Sequence, residues 1–119
     1  MKINRFLLIL ILLLVFSCSE IDYGPAFVTI TNNSDYNITR VRIGNLGTNI
    51  IVAEEIDNKL IAKGGSKTFE VSGKELSGKF IACVEAEDVS ELMCTITFNL
   101  HESDKVFFTW GGDNSSLWR

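Results

Sequence analysis

From residue 26 onward the sequence runs in short stretches rich in β-branched and aromatic residues, with apolar positions recurring at every second residue. Clusters of turn-forming residues cut these stretches at close intervals. A period of two places alternate side chains on opposite faces of an extended strand, so such a chain buries its apolar positions by pairing strands into sheets. Residues 27–31, Phe-Val-Thr-Ile-Thr, form the first such stretch, and Asn32-Asn33-Ser34-Asp35 is a strong turn cluster. A second strand is expected over 36–43, with Thr39, Val41 and Ile43 on one face and Arg40 and Arg42 on the other. The segment 44–49 breaks it. A short strand over 50–53 follows, then the polar stretch 54–59, whose state the pattern leaves open. Leu60-Ile61-Ala62 leads into the turn Lys63-Gly64-Gly65-Ser66, and Phe69 and Val71 alternate with Glu70 in a strand over 67–71. Two longer strands are expected over 79–87 and 92–100, and a last one over 106–110.

No window beyond the N-terminal segment holds a helical period, and no internal repeat is visible. The expected architecture is therefore all-β: a small antiparallel immunoglobulin-like β-sandwich of about seven strands, preceded by an N-terminal signal helix.

The N-terminal segment has a different grammar. Lys2 and Arg5 precede an uninterrupted apolar run over 6–16, the length of a signal-peptide core and too short for a bilayer-spanning helix. The run stops at Ser17-Cys18-Ser19-Glu20. Val15-Phe16-Ser17-Cys18 resembles the lipobox of bacterial lipoproteins, in which an aliphatic residue, a loosely restricted one and a small one precede the cysteine. The resemblance implies cleavage before Cys18 and lipid attachment to its thiol; the alternative is an ordinary secretory signal cut near Ser17 or Ser19. Phe16 is bulkier than the usual occupant of its position, a relaxation found in spirochaete and Bacteroidetes lipoboxes. Each buried CH₂ contributes roughly 0.8 kcal/mol, so two or three acyl chains anchor a protein durably where one does not. Ser19, rather than Asp, follows the cysteine, which by enterobacterial sorting rules points to the outer membrane of a bacterial cell envelope.

The chain thus divides into a lipoprotein signal peptide (1–17), a tether (18–25) containing the sole proline, a β-sandwich domain (26–110) and a C-terminal tail (111–119) that is flexible by composition. Extended, the tether reaches at most about 28 Å. Eleven basic residues less Lys2 and Arg5 leave nine against 15 acidic ones, a net charge of −6 for the mature chain. That balance, without any basic run, argues against nucleic acid as a partner and against adsorption to anionic lipid, leaving the covalent anchor as the expected membrane contact.

The run Val28-Thr29-Ile30-Thr31-Asn32-Asn33-Ser34, followed by Ile38-Thr39-Arg40-Val41, resembles the opening of a small, largely uncharacterised β-sandwich domain of exported proteins and lipoproteins in spirochaetes. The turn and strand Ile61-Ala62-Lys63-Gly64-Gly65-Ser66-Lys67-Thr68-Phe69 and the last strand Val106-Phe107-Phe108-Thr109 extend the likeness to roughly 27–110. Relatives often carry a Trp-Gly loop after the second strand, and 44–49 has no tryptophan. The resemblance implies a fold and an address, and brings no catalytic or binding residues.

Cys83 and Cys94 remain once Cys18 is assigned to lipid, and an even count in an exported protein favours a disulfide. Two registers compete. An even-length hairpin centred on Asp88-Val89 sets Cys83 directly opposite Cys94. Matching the apolar face Phe80, Ala82, Val84, Ala86 to the face Leu92, Cys94, Ile96, Phe98, Leu100 instead pairs Phe80 with Phe98 and Val84 with Cys94, separating the sulfurs unless a β-bulge intervenes. Without the bridge, Cys94 is a buried thiol and Cys83 a half-exposed one.

Other candidates reduce to ordinary surface chemistry. His101 with Glu102 and Asp104 reads as a solvated turn rather than a metal site, and Glu85, Glu87, Asp88 and Glu91 as a hydrated hairpin tip. Gly64-Gly65-Ser66-Lys67 lacks the spacing and the following helix of a phosphate-binding loop, and no catalytic motif is present. Asn32, Asn37 and Asn114 lie in Asn-x-Ser/Thr sequons, which carry little meaning in a bacterial lipoprotein. No cofactor is expected beyond covalent lipid on Cys18. Trp110 is expected in the core, while Trp118, past a Gly/Ser run, is a candidate partner contact. The expected role is a membrane-anchored, non-enzymatic binding or structural module with a protein or glycan partner. The alternative is inhibition of a host or rival hydrolase through the loops 44–49 and 63–66, which requires both at one end of the sandwich. An enzyme would need a pocket joining His101 to a carboxylate.

Overall fold

A computed structural model describes residues 24–113. The signal peptide, Cys18, most of the tether and Trp118 lie outside the described residues. The described chain forms eight strands: β1 (Ala26–Asn32), β2 (Ile38–Asn45), β3 (Ile50–Ile61), β4 (Ser66–Val71), β5 (Lys79–Ala86), β6 (Val89–Cys94), β7 (Phe98–Asn99) and β8 (Lys105–Trp110). They build two sheets. One has the order β4-β1-β8, with β1 antiparallel to β4 and parallel to β8; the other has the order β3-β2-β5-β6, with β7 also pairing β5.

Alternation decides which side chains meet between the sheets. Val28 and Ile30 of β1, Phe69 and Val71 of β4 and Phe108 and Trp110 of β8 face Val41 and Ile43 of β2 and Phe80, Ala82 and Val84 of β5. Trp110 is fully buried, with its indole N–H donating to the Asp113 carbonyl at 3.2 Å. Phe98 bridges the open side, its ring 6.2 Å from Phe80 and 4.8 Å from Phe108. On the other side, Lys67 of β4 pairs with Glu55 of β3.

Strand bounds need correction in two places. The polar stretch 54–59 belongs to β3, which runs unbroken from Ile50 to Ile61. β3 is an edge strand of the wider sheet, so its side chains reach water on both faces and the apolar alternation disappears; charges there also discourage pairing with another chain. Its register slips against β2, where Ile38 faces Ile61 but Arg40 faces Ile56.

The second correction concerns 92–100, which is two strands separated by a bulge. Cys83 faces Cys94 and Val84 faces Met93, yet Phe80 faces Phe98. Two residues of β5, Ile81 and Ala82, therefore lie opposite three, Thr95, Ile96 and Thr97. Both competing registers are realised, one on each side of this bulge. Leu92 and Ile96 consequently point to water, at 46% and 49% exposure, while Met93 and Thr95 turn inward. At the slip, the Thr95 amide donates to the Ala82 carbonyl at 2.8 Å and its hydroxyl accepts the Ala82 amide at 3.1 Å. The side chain thus supplies the acceptor that the ladder loses.

Two buried asparagines close opposite ends of the molecule. At the end of β1, Asn32 donates through Nδ2 to the carbonyls of Tyr36 (2.6 Å) and Ile61 (3.0 Å), and its Oδ1 accepts the Ser34 amide and hydroxyl. At the end of β2, Asn45 donates to the carbonyls of Glu75 and Ser77, and its Oδ1 accepts the amides of Gly47 and Thr48. A side-chain amide offers two donors and an acceptor with two lone pairs, which these crossings fully use. Asn32→Leu leaves the Tyr36 and Ile61 carbonyls without their donor, and a loss of about 3 kcal/mol is expected in urea unfolding. A change below about 1 kcal/mol would show that water replaces the amide.

Candidate functional site

The alternation that fills the core also dictates what the outer faces carry. On the three-stranded sheet, the outward residues of β1 are Phe27, Thr29 and Thr31. They stand beside Glu70, Thr68 and Ser66 of β4 and beside Lys105, Phe107 and Thr109 of β8. Five of these nine positions are Thr or Ser. The hydroxyls of Thr29 and Thr68 lie 2.8 Å apart, and those of Thr31 and Ser66 2.7 Å apart. These pairs hold the β-branched side chains in fixed rotamers and leave further lone pairs toward solvent. Phe107, beside Thr29, is 66% exposed, the most exposed of the large apolar side chains among the described residues. Phe27, Thr29, Thr68, Lys105 and Phe107 line a shallow depression of about 410 Å³. A broad, hydroxyl-rich face with one projecting aromatic ring suits contact with an extended ligand.

The outer face of the wider sheet is an ion-pair lattice over the disulfide. Cys83 and Cys94 are bonded across adjacent strands, with Cα atoms 4.0 Å apart, the closer spacing of antiparallel partners. Cys83 lies on the face opposite Ala82 and Val84, yet is only 8% exposed. Beside it, Arg42 Nε donates to Glu54 Oε2 at 2.7 Å, and Arg40 stands between Glu54 (3.7 Å) and Glu85 (3.4 Å). The Arg42 hydrogen bond holds the Glu54 carboxyl below its ordinary value of 4.5. These side chains are each about one-third exposed, so solvent screens the pairs and the lattice orders the strands more than it stabilises them.

Of the remaining sequence candidates, His101 and Glu102 share a shallow, open depression of about 600 Å³ with Gly73, Lys74, Leu76, Ser77 and Leu100, and His101 Nδ1 stands 4.0 Å from Asp104 Oδ2. His101 is 71% exposed; its backbone amide donates to Asp104 Oδ2 at 2.8 Å, while Glu102 instead accepts the Gly24 amide at 2.7 Å. Glu85 turns to Arg40, and Glu87 accepts the Asn37 amide. Among the described residues no group of three His, Cys, Asp or Glu side chains is arranged to hold a metal ion. The Asn32 amide of the first sequon is wholly buried and engaged in hydrogen bonds.

The loops 44–49 and 63–66 lie at opposite ends of the sandwich. The first packs on the connection between β4 and β5, through Asn45 and the close approach of Gly47 to Gly78; the second bonds Asn32 through Gly64 and Gly65. They cannot enter one cleft together. The outer face around Phe107 went unread in the sequence because an exposed phenylalanine in Val-Phe-Phe-Thr looks like core, and only the register shows which of the two rings faces out.

Two outcomes test this geometry. Replacing both Cys83 and Cys94 by Ala should cost about 2–3 kcal/mol in urea unfolding, the loop-closure value for a short bridge; an unchanged midpoint would mean the hairpin is already closed without it. For Glu54, a lowered folded pKa means stability that is present above the unfolded value and lost as pH falls through the folded one. The Tm deficit of Glu54→Gln should therefore be largest at neutral pH and vanish once acid protonates the wild-type carboxyl below 4.5. A deficit independent of pH would assign it to packing.

Compared with known proteins, the chain matches no protein-family model and no curated protein.

Proposed function

We propose that this chain is an exported bacterial lipoprotein, acylated at Cys18, whose immunoglobulin-like sandwich is a non-enzymatic binding module for a protein or glycan of the envelope. The binding surface is the outer face of the β4-β1-β8 sheet, and the observation that carries the reading is Phe107, exposed in a field of ordered hydroxyls. An aromatic ring flanked by hydroxyls offers an apolar contact with polar groups around it, the composition of a recognition surface rather than of a general solvent face.

Strand pairing supports the immunoglobulin-like part of the reading. β1 and β4 pair as strands B and E do, and β3, β2, β5 and β6 follow the order C′, C, F and G. β8 occupies the place of strand A, but parallel to its neighbour. The disulfide joins two strands of one sheet rather than the two sheets. Support for the anchor comes from the lipobox-like Val15-Phe16-Ser17-Cys18 after an apolar run, and for an outer-membrane address from Ser19. No observation favours the inhibitor reading, since its two loops are at opposite ends.

Phe107→Ser should retain the wild-type unfolding midpoint within about 0.5 kcal/mol, because the ring is already in water. The variant should lose at least tenfold in retention on immobilised envelope glycans or proteins that hold the wild type. Equal retention would move binding off this face. Palmitate labelling of wild type and Cys18→Ala decides the anchor: label that persists in the variant removes it.

A further inference from the structure

A second apolar surface lies at the end of the sandwich where the chain enters. Gly24 and Pro25 are fixed there by the β7–β8 connection: the Gly24 amide donates to Glu102, the Pro25 carbonyl accepts the Ser103 amide, and the Phe27 amide donates to the Asp104 carbonyl. The β2–β3 loop belongs to the same end, since Asn45 bonds the connection that follows β4, and β4 ends at Val71 opposite Ala26. Leu46, Ile50 and Ile51 on this loop and its flank are exposed by 50%, 53% and 49%. Ile81 extends the surface across Gly44, which carries no side chain to cover it, and Ile96 adds 49% exposure from the bulge. From Ile43 to Ala53 the sequence holds no charged residue, in a chain that is 22% charged. The neighbouring strand begins with exposed Lys79, whose carbonyl accepts the Leu46 amide.

We infer that this tip is a second membrane contact: Leu46, Ile50 and Ile51 enter the boundary between headgroups and acyl chains, with Lys79 placed at phosphate level. The inference rests on the lipid-anchor reading, which supplies the first contact. Five residues separate Cys18 from Gly24, a reach of about 22 Å at most, so the anchor confines this end to the bilayer surface. Confinement is what makes a small apolar tip effective. The overall charge of the mature chain opposes adsorption from solution, but a tethered domain meets the interface at high effective concentration. An uncharged aliphatic loop with a flanking lysine is the composition that partitions there. With this end down, the strands stand away from the bilayer and the Phe107 face looks sideways, free of lipid.

The test uses the full chain, acylated in a bacterial host and reconstituted in phosphatidylcholine vesicles, with mass spectrometry reporting the lipid on Cys18. Hydrogen exchange of the unaltered chain should slow several-fold over 46–52 in vesicles relative to the Cys18→Ala chain in solution, and should be unchanged over 33–35 and 63–65 at the far end. As a second readout, Leu46→Trp in a Trp118→Phe background should be quenched by acyl-brominated lipid, and Asn33→Trp should not. Acylated protein without protection or quenching overturns the docking while leaving the anchor intact. Protection in vesicles by protein that carries no lipid supports the docking and removes the anchor; neither signal in such protein removes both. Protection that tracks protein concentration without vesicles assigns the tip to a second copy and overturns the inference.

Discussion

The fold closes on one side chain. Asn32 sits where β1 leaves one sheet, and every neighbouring crossing is tied to it. Its amide and carbonyl bond the Gly65 carbonyl and the Gly64 amide of the β3–β4 turn, and its side chain reaches Tyr36, Ser34 and Ile61. The next residue, Asn33, donates to the Trp110 carbonyl at the end of β8. Strand ends inside a sandwich leave carbonyls that neither sheet can satisfy, and each such buried group costs about 1–3 kcal/mol when unpaired. Aspartate would lose both donors, and serine would be too short to reach two carbonyls. Asn45 solves the same problem at the opposite end with the same four-bond pattern, so the two sheets are pinned at both ends by chemistry and between them by apolar contact.

The second constraint is the register change at Thr95. The register that pairs Cys83 with Cys94, itself offset from the Glu87-Asp88 turn by a slip between Val84 and Ala86, would turn Phe98 outward if it ran on past Thr95. A hairpin in the other register would bury Phe98 and part the cysteines. The extra residue in the bulge lets both occur, and the Thr95 hydroxyl removes most of the cost by accepting the Ala82 amide. Covalent closure above the slip and the Phe80–Phe98–Phe108 cluster below it therefore act on different halves of one edge. The same bulge turns Ile96 outward, so the apolar patch at the chain-entry end is partly a consequence of how the disulfide was accommodated.

How far these features could be read in advance follows from how local they are. β1 and β5 are flanked on both sides within their sheets, and the alternation of Val28 and Ile30, or of Phe80, Ala82 and Val84, reports burial directly. β3 and β6 are edges, where one-sided burial fails, so Leu92 of β6 imitates a core face, as Ile96 does in the bulge after it, and 54–59 imitates a loop. Asn32 and Asn45 looked like turn residues because their bonding is visible only once Ile61, Glu75 and Ser77 are brought near. The outward ring of Phe107 was hidden for the same reason: parallel pairing with β1 sets which member of the Phe107-Phe108 pair faces Thr29.

Parallel pairing of β8 with β1 also decides how the two surfaces are arranged. An antiparallel last strand would reverse the order of Lys105 and Thr109 along the sheet. In the observed pairing Lys105 stands beside Phe27 near the chain-entry end, and Thr109 beside Thr31 near the far end. The charged residues of the outer face, Glu70 and Lys105, thus gather at one end, and the hydroxyls at the other. An anchored domain would hold its charged row toward the headgroups and its hydroxyl rows farther out, with Phe107 between them. On the proposed reading, recognition and anchoring would use different faces of the same two-sheet fold, and neither would have to give up area to the other.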